Sequence, residues 1–201
     1  MSIASMTVAE CLSKIGEKSP APGGGAVASI VAALGAALTQ MVVAYSVGKK
    51  ALADHEPELR EAIVELERAR AGFLTLADED AKAYSIVNQL MKLPESDPAR
   101  AGLAQAIQLS AQVPLNVLNA CVEIAALCER LSTRSNKQLR SDLAIAAVLA
   151  EAAARSSRWN ILVNAGMIQD IPAREALIVR ADAIVLRCRQ LAGQVEAACL
   201  A

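Results

Sequence analysis

Aromatic and histidine side chains are scarce in this sequence. Only 2% of its 201 residues are Phe, Trp or Tyr, and its single histidine is His55. A lone histidine in a polar run argues against Ser-His-Asp and Cys-His nucleophilic enzymes. No His/Cys cluster has the spacing of a zinc site, so no metal is expected. If the chain is an enzyme, carboxylates, lysine, tyrosine or backbone groups must carry its chemistry.

Neither sign of charge is in excess. The chain has 20 Lys and Arg against 21 Asp and Glu, a net charge of −1. Nucleic acids and anionic membranes attract proteins through clusters of basic residues, so we expect neither as a partner. The N-terminus has no basic segment before an apolar run, so no secretory signal is expected.

The cysteines give no disulfide pattern. Their number is odd and no pair has short spacing, which argues against a disulfide framework. Free cysteine usually behaves as a small buried hydrophobe, so we expect a reducing, cytoplasmic compartment. The five are Cys11, Cys121, Cys128, Cys188 and Cys199.

Small and aliphatic residues make up most of the chain. Hydrophobic residues are 54% of the sequence, chiefly alanine, leucine, valine and isoleucine. No segment alternates with a period of two, so we expect no sheet. The sequence therefore predicts one all-α domain over residues 1–201, a bundle of about six or seven closely packed helices around a long Ala-rich central helix.

Caps and prolines indicate where the helices begin and end. Thr7 and Glu10 have the capping-box spacing, so a short helix begins there. We expect further helices over about 24–47, 58–92, 98–131 with a kink or restart at Pro114, 139–156 and 172–198. Residues 132–136 are interpreted as a loop, and 160–171 as a less regular apolar segment.

The central helix could be mistaken for a membrane span. Residues 26–44 are almost entirely apolar, but Ser29, Thr39 and Gln40 interrupt them and alanine supplies much of the apolar character. We expect no second comparable span. We therefore interpret this segment as the interior helix of a bundle.

Three consecutive glycines, Gly23–Gly25, stand at the start of this helix. Glycine permits positive φ and places no side chain between the backbone and a ligand. The helix N-terminus offers free N–H groups, which suit a carboxylate, a phosphate or a flat ring lying on the backbone. No Gly-Lys-Ser/Thr follows, so this is not a P-loop. The alternative is a tight corner between two helices.

Polar residues recur inside apolar helices. In LADEDAKAY, Asp80 and Tyr84 share a helix face, and the alternative is a solvated face. RSD places Arg140 and Asp142 at a helix start, where Asp142 could simply be a cap.

Two asparagines form a second polar set. Asn160 and Asn164 lie four residues apart among apolar residues in NILVNA. Buried amides need hydrogen-bond partners, which are either backbone groups or a ligand.

The order of these segments resembles the cyclodeaminase domain of the formiminotransferase-cyclodeaminase family. The resemblance rests on PAPGGGAVASIVAALGAALTQMV, GKK, LADEDAKAY, AQVPL, RSD and NILVN…IQD, and covers roughly residues 6–182. That family includes free-standing methenyltetrahydrofolate cyclohydrolases. The resemblance implies a helical subunit that forms a homodimer or a larger homo-oligomer. It also implies a tetrahydrofolate derivative as substrate, bound near subunit contacts, and a separate formiminotransferase as a possible partner.

Two reactions follow from the resemblance. One cyclises 5-formimidoyltetrahydrofolate to 5,10-methenyltetrahydrofolate with release of ammonia, and the other interconverts the methenyl and 10-formyl forms with water. A third interpretation is a helical bundle that binds folate or partners without catalysis. The acids of the motifs are present, which favours an enzyme.

The chemistry of these reactions suggests roles for residues that match the family's motifs. Asp80 is expected to be the acid/base, and Asp142 to stabilise the cation that forms between N5 and N10. Lys49 and Arg140 would hold the glutamate tail, and Asn164 the pterin edge. The expected substrate-binding set is Pro22, Gly23, Gly24, Gly25, Lys49, Asp78, Arg140, Asn160 and Asn164.

Two departures from the family pattern concern this set. Ala26 stands where the family often has serine, and Ala165-Gly166-Met167 replaces a more usual leucine-containing run after Asn164. Asp170 matches the last acid of the pattern. The glycines are expected to let the pterin or its aminobenzoyl linker lie against the backbone.

Overall fold

The chain folds into six α-helices in a computed structural model that describes residues 2–201. The helices are α1 (Val8–Gly16), α2 (Gly24–Ala44), α3 (Glu56–Met91), α4 (Leu103–Leu131), α5 (Arg140–Ala165) and α6 (Ile171–Leu200). No strand occurs within the described range. The prediction of an all-α, single-domain bundle is confirmed.

Side-chain caps fix several helix starts as the sequence indicated. The Thr7 hydroxyl accepts from the backbone N–H of Glu10, and the Glu10 carboxylate accepts from the N–H of Thr7 at 2.7 Å. Asp97 caps a 3₁₀ turn, Pro98–Gly102, that leads into α4. These local bonds satisfy N–H groups that a helix cannot pair internally.

Neither a restart at Pro114 nor an irregular start of the segment 160–171 occurs. Helix α4 does not restart at Pro114 but runs through it. Leu115 and Leu118 beyond the proline are buried, so core packing offsets the lost backbone bond. Residues 160–165 are not irregular but form the last turns of α5, because Ile161 and Ala165 are also buried.

Helices α2 and α5 pack antiparallel at the centre of the bundle. Gly24 lies beside Asn160, whereas Gly35 lies against Ala146 and Ala150. A Cβ atom at Gly35 would stand 3.2 Å from the carbonyl oxygen of Ala146. Glycine and alanine thus let the two backbones approach closely, as the scarcity of large side chains predicted.

The two buried hydroxyls of α2 find their acceptors inside the helix itself. The buried hydroxyls of Ser29 and Thr39 donate to the carbonyls of Gly25 and Gly35 at 3.1 and 2.9 Å. By length and hydropathy, α2 and the segment 98–131 both meet the criteria for a membrane span, with mean hydropathies of 2.0 and 1.4. The expectation of no second comparable span is therefore wrong, although more than half of each is buried within the fold.

The cysteines are all free. Cys121, Cys128 and Cys188 lie in the core, as expected of small hydrophobes. Burial raises the pKa of Cys128 to about 11 and that of Cys188 to about 12, so both thiols remain protonated near neutral pH.

Candidate active site

A pocket of about 600 Å³ opens where the first turn of α2 meets α3, α4 and the last turns of α5. We call it the Asp80 pocket. It brings together Gly23–Gly25, Asp80, Tyr84, Asn160 and Asn164. Residues from three distant segments of the sequence, which the motifs had singled out separately, therefore share one cavity.

Gly25 provides the space that the Asp80 carboxylate occupies. A Cβ atom at Gly25 would stand 2.0 Å from Asp80 Oδ1 and 2.3 Å from its Cγ. Real Cβ atoms do not approach other atoms so closely. The missing side chain at Gly25 therefore makes room for a carboxylate of the protein itself. The expected contact of the pterin with the backbone is not required at this glycine.

The environment of Asp80 favours its protonated form. Burial raises the pKa of this carboxyl above its ordinary value, and a hydrogen bond from the backbone N–H of Ala26 partly opposes the shift. A carboxyl group with a raised pKa retains its proton to higher pH, as general acids do. Asp80 therefore combines access to the pocket with the ability to donate a proton.

Two amides face the same cavity with their carbonyl oxygens unused by described residues. Asn164 donates through Nδ2 to the carbonyl of Ser110 at 2.8 Å, and Asn160 donates to the carbonyl of Ser156 at 3.2 Å. These bonds fix the orientation of both side chains. Each leaves Oδ1 as an acceptor, so with Asp80 the pocket is suited to a ligand edge rich in N–H groups.

Comparison with known proteins identifies the family. The sequence profile of the formiminotransferase-cyclodeaminase family matches residues 7–183. The chain belongs to this family. A methenyltetrahydrofolate cyclohydrolase of Methylorubrum extorquens is 31% identical over 82% of this chain and 81% of its own length. The formimidoyltransferase-cyclodeaminase of Gallus gallus is 31% identical over 78% of this chain, which spans only 30% of that longer protein.

The fold comparison gives the same family. The crystal structure of formiminotetrahydrofolate cyclodeaminase from Thermotoga maritima superposes with a TM-score of 0.91, at 29% identity, over 98% of this chain and 96% of that one. The family resemblance predicted from the motifs is confirmed.

Asp78, a family motif residue, does not line the Asp80 pocket. Its carboxylate accepts from the hydroxyl of Ser2 and from the backbone N–H of Ile3, the latter at 2.8 Å. Ile3 is buried with Ala26 and Ala77. The two acids of LADEDAKAY therefore have different surroundings: Asp80 faces the cavity, and Asp78 fastens the N-terminal turn to α3.

We expect Asp78→Ala to lower stability and leave the Asp80 pocket assembled. The change leaves the Ile3 N–H without its partner, at a cost of about 1–3 kcal/mol. Chemical denaturation should show the loss, with limited proteolysis near the N-terminus increasing. Asp78→Asn, which keeps one acceptor oxygen, is the matched control. A folded Asp78→Ala protein of wild-type stability with abolished folate binding would contradict this structural role.

Three other predicted site residues lie at the opposite end of the bundle. Asp142 and Arg140 begin α5, and Lys49 follows the C-terminus of α2. Asp142 is eighteen residues before Asn160 on the same helix, about 27 Å at 1.5 Å per residue. One chain does not bring these residues to the Asp80 pocket. Asp142 lies in the first turn of α5, where its negative charge interacts favourably with the positive end of the helix dipole.

Two more of the predicted residues are placed outside the pocket lining. Pro22 follows a cis peptide bond beside the lining residues Ala21 and Gly23. Asp170 caps α6 by accepting from the N–H of Ala173 at 3.1 Å. It also borders a larger neighbouring cavity of about 890 Å³.

That larger cavity meets the Asp80 pocket at Met167. Its rim carries Glu95, Asp97 and Asp170, and the guanidinium of its one cation, Arg100, donates to the carbonyl of Leu93. An acidic rim repels an anionic ligand. The larger cavity is therefore poorly suited to an anionic ligand.

Several lining residues were missed by sequence reasoning. Val87, Asn88 and Met91 continue the face of α3 that begins with Asp80 and Tyr84. The helical spacing of seven, eight and eleven residues from Asp80 was the available signal. Ser110 acts through its backbone carbonyl, for which no sequence pattern exists.

Proposed function

We propose that the chain is a tetrahydrofolate one-carbon enzyme that acts on the N5–C–N10 bridge, cyclising 5-formimidoyltetrahydrofolate to 5,10-methenyltetrahydrofolate with release of ammonia. The observation that carries the proposal is the half-buried Asp80 carboxyl, whose pKa is raised, at the wall of a cavity edged by two amide oxygens. The family relatives named above support the substrate class.

The chemistry requires a group with these properties. When N10 attacks the amidine carbon on N5, the carbon becomes tetrahedral and carries three nitrogens. Ammonia leaves readily only after its nitrogen has gained a proton, and a carboxyl group whose pKa is raised by burial keeps its proton to higher pH and can supply one. The resulting cation across N5 and N10 is stabilised by the carboxylate that remains. Asn160 and Asn164 orient the pterin by accepting from its N–H groups.

The cyclohydrolase reaction is the second candidate. The relative from Methylorubrum extorquens bears that name and matches this chain over most of its own length. The same cation would then be attacked by water, with the ionised Asp80 taking the proton. A helical bundle that only binds folate is the remaining alternative.

Absorbance at the methenyltetrahydrofolate band tests these proposals. With 5-formimidoyltetrahydrofolate, a cyclodeaminase makes the band grow faster than spontaneous cyclisation. With methenyltetrahydrofolate, a cyclohydrolase makes it decay faster than spontaneous hydrolysis. Acceleration of neither, with folate binding intact, would leave a binding protein.

The pH dependence of turnover should distinguish the cyclodeaminase reaction from the cyclohydrolase reaction. If protonated Asp80 is the acid, cyclodeaminase turnover is highest at low pH and falls as pH rises through its raised pKa. Cyclohydrolase turnover, which uses the carboxylate as base, rises through the same pKa. Rates measured in constant-ionic-strength buffers should show this inflection above the ordinary range of aspartate. An inflection that persists in Asp80→Asn would assign it to another group.

Three further properties are part of the proposal. We propose a homodimer, since α5 carries an exposed apolar surface, and a cytoplasmic location, which the free cysteines favour. A separate formiminotransferase is a possible partner, as the resemblance implies. Size measurement in solution and localisation of the tagged protein test the first two.

A further inference from the structure

Pro114 lies in the interior of helix α4, where proline is unfavourable. The motif that contains it, AQVPL, takes no part in the proposed chemistry. Helix α4 continues through the proline, and Pro114 itself is buried. In an α-helix the N–H of each residue donates to the carbonyl four residues earlier, and proline has no N–H. The carbonyl that loses its helical donor here is therefore that of Ser110.

The Ser110 carbonyl has a partner on another helix. Asn164 of α5 donates to it through Nδ2 at 2.8 Å, and both residues line the Asp80 pocket. The ring of a proline within a helix also presses against the carbonyl four residues earlier, which turns that oxygen away from the helix axis. The missing N–H and the ring of Pro114 thus make an oxygen of α4 available to α5.

The second amide of the pocket provides an internal comparison. Asn160 donates through Nδ2 to the carbonyl of Ser156, four residues earlier on α5, at 3.2 Å. That carbonyl lies inside a regular helix, where the backbone N–H of Asn160 is already its donor. The bond from Asn164 to Ser110 is shorter, as expected of an acceptor with no backbone donor four residues ahead.

The Ser110 carbonyl decides which end of the Asn164 amide faces the pocket. A carbonyl oxygen only accepts hydrogen bonds, so it attracts Nδ2 and repels Oδ1. Ser110 is 5% exposed, so water would not readily replace the amide donor if the amide were reversed. Oδ1 therefore faces the ligand. Asn164 accepts from a ligand N–H and disfavours a ligand acceptor at the same point.

We propose that Pro114 is a positioning residue of the active site, because it frees the Ser110 carbonyl that holds Asn164 with Oδ1 toward the ligand. Pro114 does not line the pocket and acts only through these two residues. The identity of the ligand edge, the N–H groups of a pterin, rests on the proposed function. The arrangement explains why a buried helix contains a residue that removes one of its own hydrogen bonds.

The orientation of Asn164 is measurable without a substrate. In nitrogen-15 spectra of the free protein, its side-chain amide is identified by its absence from Asn164→Ala. One of its protons should exchange with solvent several-fold more slowly than those of Asn160, because its acceptor has no competing helical donor. In Pro114→Ala the restored N–H takes the Ser110 carbonyl back into the helix, and the difference should disappear.

Either of two results would overturn the proposal. One is an Asn164 amide that already exchanges as fast as that of Asn160 in wild type, a comparison that needs no proline variant. The other is an Asn164 amide that exchanges in Pro114→Ala as it does in wild type.

A double-mutant cycle separates positioning from helix packing. Equilibrium binding of 5-formyltetrahydrofolate, a stable tetrahydrofolate with an unaltered pterin edge, is measured for wild type, Pro114→Ala, Asn164→Ala and the double variant. Pro114→Ala should weaken binding by about 3–10-fold, the contribution of one oriented hydrogen bond. It should have no further effect once residue 164 is alanine. Equal effects in both backgrounds would assign Pro114 to packing alone and overturn the proposal.

Thermal unfolding and a second proline provide the controls. Pro114→Ala removes a helix-breaking residue, so its melting temperature should equal or exceed that of wild type. Pro57 lies in the first turn of α3, where a backbone N–H would have no helical acceptor. Pro57→Ala should therefore leave both the Asn164 amide and folate binding unchanged.

These measurements separate the two proposals. An Asn164 amide that depends on Pro114 in a protein that binds no folate would retain the positioning role and reject the proposed ligand. Folate turnover in a protein whose Asn164 amide does not respond to Pro114→Ala would retain the enzyme and overturn the positioning role.

Discussion

Gly25→Ala should abolish turnover in a protein that remains folded. The added Cβ would stand 2.0 Å from Asp80 Oδ1, so the carboxylate must rotate away from the first turn of α2. Displacement of a catalytic group by 1 Å costs about 10²-fold in rate, and this displacement is larger. Alanine also favours a helix more than glycine does, so stability should be retained. Steady-state kinetics with a thermal-unfolding control measures both effects.

Two glycine variants provide the comparison. At Gly24, a Cβ atom would stand 3.5 Å from Asn160 Oδ1, an ordinary contact, so Gly24→Ala should raise KM more than it lowers kcat. At Gly72, nothing lies within 4 Å, and Gly72→Ala should behave as wild type. If Gly24→Ala lowers turnover more than Gly25→Ala does, the glycine triplet makes room for the substrate rather than for Asp80.

The pH profile of Gly25→Ala gives an independent signature. Once rotated into solvent, Asp80 loses the burial that raises its pKa. The inflection of any residual activity should therefore move to lower pH. A residual rate with the wild-type inflection would mean that Asp80 had kept its place.

Asp80→Asn should lower turnover by about 10²–10⁴-fold, the usual contribution of a general acid. Asparagine has nearly the same shape and still accepts from the N–H of Ala26, but it donates no proton to the leaving nitrogen. Because the pocket lining is otherwise unchanged, substrate affinity should change far less than kcat. Single-turnover kinetics and equilibrium folate binding separate the two.

The same variant should be as stable as wild type, or more stable, at neutral pH. The pKa of Asp80 is raised in the folded state, so ionisation opposes folding and the associated stability is lost as pH rises through that pKa. The uncharged amide avoids this loss. The melting temperatures of the two proteins should converge as pH falls below that pKa. A destabilised Asp80→Asn would identify the carboxylate as a structural group.

Local sequence signals were sufficient for most of the architecture. The capping box at Thr7, the 3.6-residue periodicity and the many alanines fixed the helices and their close packing. Prediction failed where burial overrode a local signal. Pro114 disfavours helix by itself, but the apolar residues on either side of it pack into the core and hold α4 together.

The candidate site was predictable in part. The motifs identified Gly25, Asp80, Asn160 and Asn164, and the fold brings these four together. They did not indicate that Gly25 makes room for Asp80, because that relation joins two helices across fifty-five residues. Asp78 and Asp80 look alike in LADEDAKAY, but they lie on different sides of α3, and only the packing of α3 against α2 decides that Asp80 faces the cavity.

The sequence by itself determined the helical class, the family and the residue types available for chemistry. Periodicity and caps depend on residues close together in the chain, and the order of the motifs can be recognised without the fold. Tertiary structure decided which of those residues meet. The antiparallel packing of α2 on α5 places Gly24 beside Asn160 and leaves Asp142 at the far end of the bundle. A helix fixes the separation of its own residues at 1.5 Å each, so only packing, within a chain or between two, can bring such distant groups into one site.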